Sequence, residues 1–202
     1  MPDTLRLLLV EDNEADAELV ELALRRGFSR METLRVDRPE TVRAALAEGQ
    51  WDVVISDYSL PHMNAPEALE LLKESGLDLP FIVVSGTIGE DTAVAMMRAG
   101  TDDYLMKDKL ARLQPAIEHA IASARMRKAH RQAQQALLES EERYRSLYQA
   151  IIGGVVVESI TGEILEANAV ASAILGRTPE EMTNHIAVGI PWEAVHEDGT
   201  VF

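Results

Sequence analysis

The chain has 202 residues, 47% of them hydrophobic and 26% charged, enough apolar material for one full core and part of a second and no sign of wholesale disorder. Its formal net charge of -15 is spread as -11 over residues 1–109, +3 over residues 110–150 and -7 over residues 151–202. Two acidic blocks of this kind repel phosphate backbones and anionic lipid, which argues against nucleic acid or membrane as their partners, and the lack of any cysteine removes disulfide and thiolate chemistry.

Residues 5–10 form an apolar run too brief for a helix, and the chain turns acidic at once at Glu11 and Asp12. No secretory leader fits that pattern, and nothing approaches the ~18 consecutive apolar residues of a membrane span, so a cytoplasmic protein is expected. Asp12 or Asn13 can cap a helix over residues 14–26, with Ala15, Leu19, Leu22 and Arg26 at helical spacing and Gly27 as its stop. The same alternation then recurs. Residues 33–36 read as a strand before a helix over 39–48 ended by Gly49, and residues 53–56 as a strand before a Pro61-containing loop and a helix over 65–74. Phe81-Ile82-Val83-Val84 leads into Ser85-Gly86-Thr87, a helix over 90–98 carrying Met96 and Met97 as core filler, Gly100, and a last strand over 104–106.

Strands as apolar as these suit burial on both faces, so the expected fold is α/β, a doubly wound, flavodoxin-like five-stranded parallel sheet with five helices. Ligands of such sheets gather at the carboxyl ends of the strands. There lie Glu11 and Asp12, then Asp57, then Ser85 and Thr87, then Lys107. Glu11 and Asp12 alone would be a solvated helix start, a common place for acids. Carboxylates at two strand ends, a hydroxyl and an ammonium converging on one edge instead suit phosphoryl chemistry.

In that reading Asp57 is the nucleophile, and magnesium offsets the charge on the phosphoryl oxygens. Asp12, Asp57 and the Ser59 carbonyl are its direct ligands, and Glu11 acts through water. Lys107 pairs with the carboxylates at rest and with a phosphoryl oxygen after transfer. Ser85 donates its hydroxyl to another oxygen, and the space it vacates is filled by Tyr104, which turns local charge into a changed surface. His62, His119, His130, His185 and His196 lack paired metal-ligand spacing and read as surface groups.

The motifs LLLVEDNEADAEL, VVISDYSLPHM and FIVVSGTIGEDTAVAMMRAGTDDYLMK together resemble the receiver domain of bacterial response regulators over residues 4 to 122. The resemblance implies the acidic pair at Glu11 and Asp12, the phosphoacceptor at Asp57, the switch pair Ser85 and Tyr104, and the lysine at Lys107. It also implies phosphotransfer from a sensor histidine kinase, magnesium dependence, and output through the face of the fourth helix, fifth strand and fifth helix, where a homodimer is one expectation. The family's proline after the lysine is replaced by Asp108, so a cis bond there would be costly, and Asn64-Ala65 stand where the family commonly has an acidic residue and glycine.

Beyond residue 110 an Ala-, Gln-, Arg- and Glu-rich stretch predicts one long helix or two abutting ones. A heptad seam through Leu110, Leu113, Ile117, Ala120 and Ala124 breaks at Arg127, Arg131 and Gln134 and returns at Leu138, a second candidate for pairing between copies. ERYRSLYQAIIGGVVVESITGEILEANAVASAILGRTPEEM resembles the opening of a PAS sensor domain: a leading helix, a hairpin with its turn at Thr161-Gly162, a helix capped by Asn168 and closed by Gly176, and a further helical turn at Pro179. The remaining residues are too few for a whole PAS core, so poor stability or completion by a second copy is expected. The predicted organisation is a receiver over 1–122, a helical linker over 123–150 and a partial PAS-like segment over 151–202, with phosphoacceptance and slow self-hydrolysis as the only chemistry. Two rivals are set against it. A haloacid-dehalogenase-like phosphatase needs a second aspartate two residues after the nucleophile, where this chain has Ser59; a pseudo-receiver that only binds partners has no use for the intact set Asp12, Asp57, Ser85 and Lys107.

Overall fold

In the computed structural model, which describes residues 4–86, 89–161 and 163–183, the chain divides into two units, Met1–Arg131 and Gln132–Phe202. Five strands, β1 (Leu5–Val10), β2 (Met31–Val36), β3 (Val53–Asp57), β4 (Phe81–Ser85) and β5 (Asp103–Met106), pair in parallel in the order β2-β1-β3-β4-β5. Between them run α1 (Glu14–Leu24), α2 (Pro39–Glu48), α3 (Ala65–Glu74) and α4 (Glu90–Ala99). This is the doubly wound, flavodoxin-like sheet expected from the strands, and the order reverses between β1 and β3.

Alternation along the strands builds two cores. Leu5, Leu7 and Leu9 of β1, with Val53, Ile55, Ile82 and Val84, pack against Ala17, Val20 and Leu24 of α1 and the start of the last helix, α5 (Leu113–Ala150). Leu8, Val10, Val54, Phe81 and Val83 point the other way, onto α2, α3 and Met96 of α4. Both faces are covered, which is why the strands carry so few polar side chains.

Helix ends follow local chemistry. The Asn13 side chain accepts from the amides of Ala15 and Asp16, and Asn64 and Glu67 cap the start of α3 reciprocally. Gly49 closes α2 at φ 66, a left-handed position that costs glycine little. The buried face of α1 differs from the predicted stripe. Ala17, Val20 and Leu24 face the sheet, whereas Leu19 and Leu22 are 52% and 57% exposed. Helix α1 ends at Leu24 with Arg25 as its cap, two residues before the predicted limit. Met96 is buried, but its neighbour Met97 is half-exposed and takes a weak hydrogen bond from the Thr101 hydroxyl instead of filling the core.

Strand β5 runs into a 3-10 helix, Lys107–Arg112, and then into α5. The peptide bond after Lys107 is trans, as are all those described. In α5 the apolar stripe Leu113, Ala116, Ile117, Ala120, Ile121 and Ala124 is buried, most of it against β1, β3, β4 and α1. The first half of the expected heptad seam is therefore consumed within the first unit and is closed to a partner helix, while Leu137 and Leu138 are exposed. Just past this stripe Arg127 bonds to Asp78 and Asp102, each at 3.3 Å, and Arg131 also reaches Asp78. Asp102 in turn accepts from the Phe81 amide. This clasp grips α5 at the amino ends of β4 and β5.

In the second unit β6 (Val156–Glu158) and β7 (Ile164–Ala167) form an antiparallel hairpin, followed by α6 (Ala169–Leu175) and α7 (Pro179–Thr183). Asn168 holds this unit together. Its side chain accepts from the amides of Val155 and Ala171 and donates to the carbonyls of Gly153 and Tyr148. At Gly154 a Cβ would meet the Ala171 Cα at 3.0 Å and its amide nitrogen at 3.3 Å, so a side chain there would crowd the backbone of α6. No helix among the described residues is long and apolar enough to cross a membrane.

The two halves of α5 should respond differently to truncation. Ile117→Ala is expected to lower the unfolding free energy by about 2–4 kcal/mol, the cost of an emptied core position, whereas Leu138→Ala should stay within about 0.5 kcal/mol. Urea titration followed by far-UV circular dichroism measures both.

Candidate functional site

The carboxyl ends of β1, β3 and β5, with the first turn of α1, bring one ammonium group and four carboxylates together. β1 and β2 pair up to Val10 and Val36, and the Glu11 amide then bonds to the Val36 carbonyl at 3.0 Å, which fixes the turn into α1. Arg35 of β2 reaches across to the carbonyls of Glu11 and Asp12, at 3.2 and 2.9 Å. Glu11 is 2% exposed and its side chain accepts from the Asn13 amide at 3.1 Å, whereas Asp12 is exposed.

Asp57 is the last residue of β3. One of its oxygens accepts from the Tyr58 amide at 2.6 Å, and the other accepts from the Lys107 Nζ at 3.0 Å. Lys107 lies directly after β5 and donates as well to Glu11 Oε2 at 2.9 Å and to Asp16 Oδ2 at 2.5 Å. An ammonium group has three protons, and three carboxylates take them. Burial works against this charge, but the carboxylates, Asp16 first, outweigh it and hold the Lys107 ammonium above its ordinary range. Burial is also the main influence on Glu11 and raises it; Asp57 adds to the rise, while Lys107 and the Asn13 amide oppose it.

Glu11, Asp12 and Asp57 each offer an oxygen, and these oxygens lie within 4.8 Å of one another. The structure thus brings together Glu11, Asp12, Asp57 and Lys107, all singled out from the sequence. Ser85 is buried at the end of β4, opposite Met106 of β5. Tyr104 is half-buried, its phenol pushed up chiefly by burial, with the Asp57 charge adding to the rise and the Ser85 hydroxyl opposing it. Ser59 is exposed and bridges to Asn64, which tightens the loop from β3 to α3. Thr87, His185 and His196 lie outside the described residues; His62, His119 and His130 are exposed.

Two site residues were not anticipated. Asp16 joins Lys107, and Arg35 joins the loop after β1. Asp16 did carry a signal: it lies in the first turn of α1, three residues after the Asn13 cap and close in sequence to the end of β1. Among the described residues the Arg35 guanidinium bonds to backbone carbonyls, and no spacing announces that.

The family model described as response regulator receiver domain matches residues 7–118, and the chain belongs to that family. Among curated relatives, the cell cycle transcriptional regulator CtrA of Caulobacter vibrioides is 28% identical over 103 residues, 51% of this chain and 44% of that protein. The cell cycle response regulator CtrA of Brucella ovis is 30% identical over the same extent. The chain thus spans less than half the length of these relatives. A response regulator receiver domain from Clostridium thermocellum superposes with a TM-score of 0.53 at 24% identity, covering 60% of this chain and 98% of its own. The signal receiver domain of a Vibrio parahaemolyticus LuxO repressor protein gives 0.56 at 20% identity, over 62% and 96%. These two structures share the fold.

The position of Glu11 leads to an expected outcome in metal-free buffer. Because the folded protein favours its neutral form, the ionised carboxylate opposes folding above the raised folded value, and this opposition disappears below the ordinary value of 4.5. Glu11→Gln should therefore be more stable than wild type at pH 7, with the difference closing as pH falls toward 4.5. Thermal unfolding with a chelator present, compared across pH, checks the sign.

Proposed function

We propose that Asp57 accepts a phosphoryl group with a divalent cation, magnesium for preference, and that a sensor histidine kinase is the donor. The observation that carries this reading is the Lys107 ammonium, which bonds to Glu11 after β1 and to Asp57 at the end of β3 beside the three-carboxylate cluster. The cluster fits a small hard cation: all donors are carboxylate oxygens, and the exposure of Asp12 leaves room for the waters that magnesium keeps. Asp12, Asp57 and the Ser59 carbonyl would hold it directly, with Glu11 acting through water. When bound, the cation supplies positive charge where the phosphoryl oxygens accumulate negative charge.

In the transfer an Asp57 carboxylate oxygen forms a bond to phosphorus. The bond from phosphorus to the donor's histidine nitrogen breaks, and its electron pair leaves with that nitrogen. Lys107 then gives the N–H released by Asp57 to a phosphoryl oxygen, and the Ser85 hydroxyl donates to another. Withdrawal of Ser85 from Tyr104 leaves space for the ring to turn inward and changes the face near Val94 and Met97, which are half-exposed on α4. That face, or the exposed part of α5, is where a second copy would sit.

The chain reads as a cytoplasmic phosphoacceptor, without turnover of external phosphoesters. Ser59 supports this, because it stands where a phosphatase of the haloacid-dehalogenase type would place its second aspartate. For the second unit we infer the opening of a PAS sensor domain. Its support is the antiparallel hairpin followed at once by an Asn168-capped helix. The domain limits 1–122, 123–150 and 151–202 belong to the same reading.

Acetyl phosphate with magnesium should yield a phosphorylated species by intact-protein mass spectrometry, absent from Asp57→Asn and lost on addition of a chelator. Equal labelling of Asp57→Asn would sink the assignment. Hydrogen exchange over residues 125–150 and sedimentation, each with and without beryllofluoride, test the coupling to α5 and to dimerisation.

A further inference from the structure

We infer that Asp16 is the positioning residue for Lys107, the fixed anchor that keeps the ammonium in the site when its other partners are taken over by a cation and a phosphoryl group. This rests on the phosphoacceptor reading above. Of the three acceptors on Lys107, Glu11 and Asp57 have other duties: Glu11 takes the Asn13 amide, Asp57 takes the Tyr58 amide, and both belong to the cluster that fits a cation. Asp16 lies outside that cluster. Among the described residues its carboxylate accepts from Lys107 alone, at the shortest of the three distances, 2.5 Å.

Its backbone is held by the cap of α1. The Asp16 amide bonds to the Asn13 side chain that caps α1, so the carboxylate stands on the first turn of a packed helix.

The need for such an anchor follows from Coulomb's law. A divalent cation among Glu11, Asp12 and Asp57 repels the ammonium beside it and draws on the same oxygens. Once Asp57 is phosphorylated, the oxygen that held Lys107 has either formed the new bond or stands next to it. Asp16 is the counter-charge that neither event consumes. With one N–H tied there, Lys107 swings on a short tether from the Asp57 oxygen to a phosphoryl oxygen and does not leave for solvent.

The test compares wild type, Asp16→Ala, Asp16→Asn and Asp16→Glu. Two readouts are taken: the slowly exchanging Lys107 ammonium protons by nitrogen-15 NMR, with and without magnesium, and beryllofluoride affinity in magnesium by calorimetry. In wild type the ammonium signal should persist when magnesium is added. In Asp16→Ala it should be lost on that addition, with beryllofluoride binding weakened roughly tenfold, the low end for one charge-assisted hydrogen bond. Asp16→Glu should restore much of both. In a Lys107→Ala background, Asp16→Ala should have no further effect on beryllofluoride affinity, because a residue that acts through Lys107 has nothing left to position.

Should Asp16→Ala fail to fold, Asp16→Asn carries the same comparison, since it keeps the shape and removes only the charge. Retention of the ammonium signal with binding within about twofold of wild type, or a full additional loss in the Lys107→Ala background, overturns the anchor role. Beryllofluoride binding that Asp57→Asn leaves intact overturns the phosphoacceptor reading instead, and the ammonium signal still reports whether Asp16 holds Lys107.

Discussion

The receiver's functional edge depends on one shared proton donor. Lys107 is the single ammonium set among Glu11, Asp16 and Asp57, with Asp12 beside them, and without it these carboxylates would repel one another across the switch point of the sheet. The fold provides the meeting place: β1 and β3 are neighbours, β5 lies two strands away, and each ends in a turn that carries its charged residue to the same side. Apolar strands buried on both faces make that edge rigid, so the charges cannot relax apart.

Strain between stability and use is built into this arrangement. Glu11 is nearly inaccessible and burial holds its carboxyl above the ordinary range, yet the cluster fits a cation only when its oxygens are ionised. The packing of Leu7, Leu9, Ile55 and Ile82 against α1 and α5 holds the carboxylate where solvation alone would not leave it. Such a site gives up folding free energy at rest and regains it on ligation.

Much of this was legible in the residues. Strands, parallel order and caps could be read because each depends on a few neighbouring positions: the apolar runs 53–56 and 81–84, Asn168 before α6, Gly49 and Gly176 after their helices. The contact of Lys107 with Glu11 and Asp57 was legible because strand ends in a parallel sheet converge. What escaped were features that depend on angle and reach. The phase of α1 could not be taken from apolar spacing when Leu19 and Leu22 are as apolar as Val20 and Leu24 but face outward. The heptad through Leu113, Ile117 and Ala120 was real as a pattern, but an intramolecular sheet was the surface it served.

The arginine clasp at the far edge behaves unlike the lysine centre. Arg127 and Arg131 are about half-exposed, so their bonds to Asp78 and Asp102 sit within reach of mobile counter-ions, whereas Lys107 and Glu11 are shielded by the sheet. Screening at a Debye length of about 8 Å weakens the first set far more than the second. Ionic strength thereby becomes a dial that loosens the grip on α5 near Arg131 while leaving the cluster around Lys107 nearly untouched.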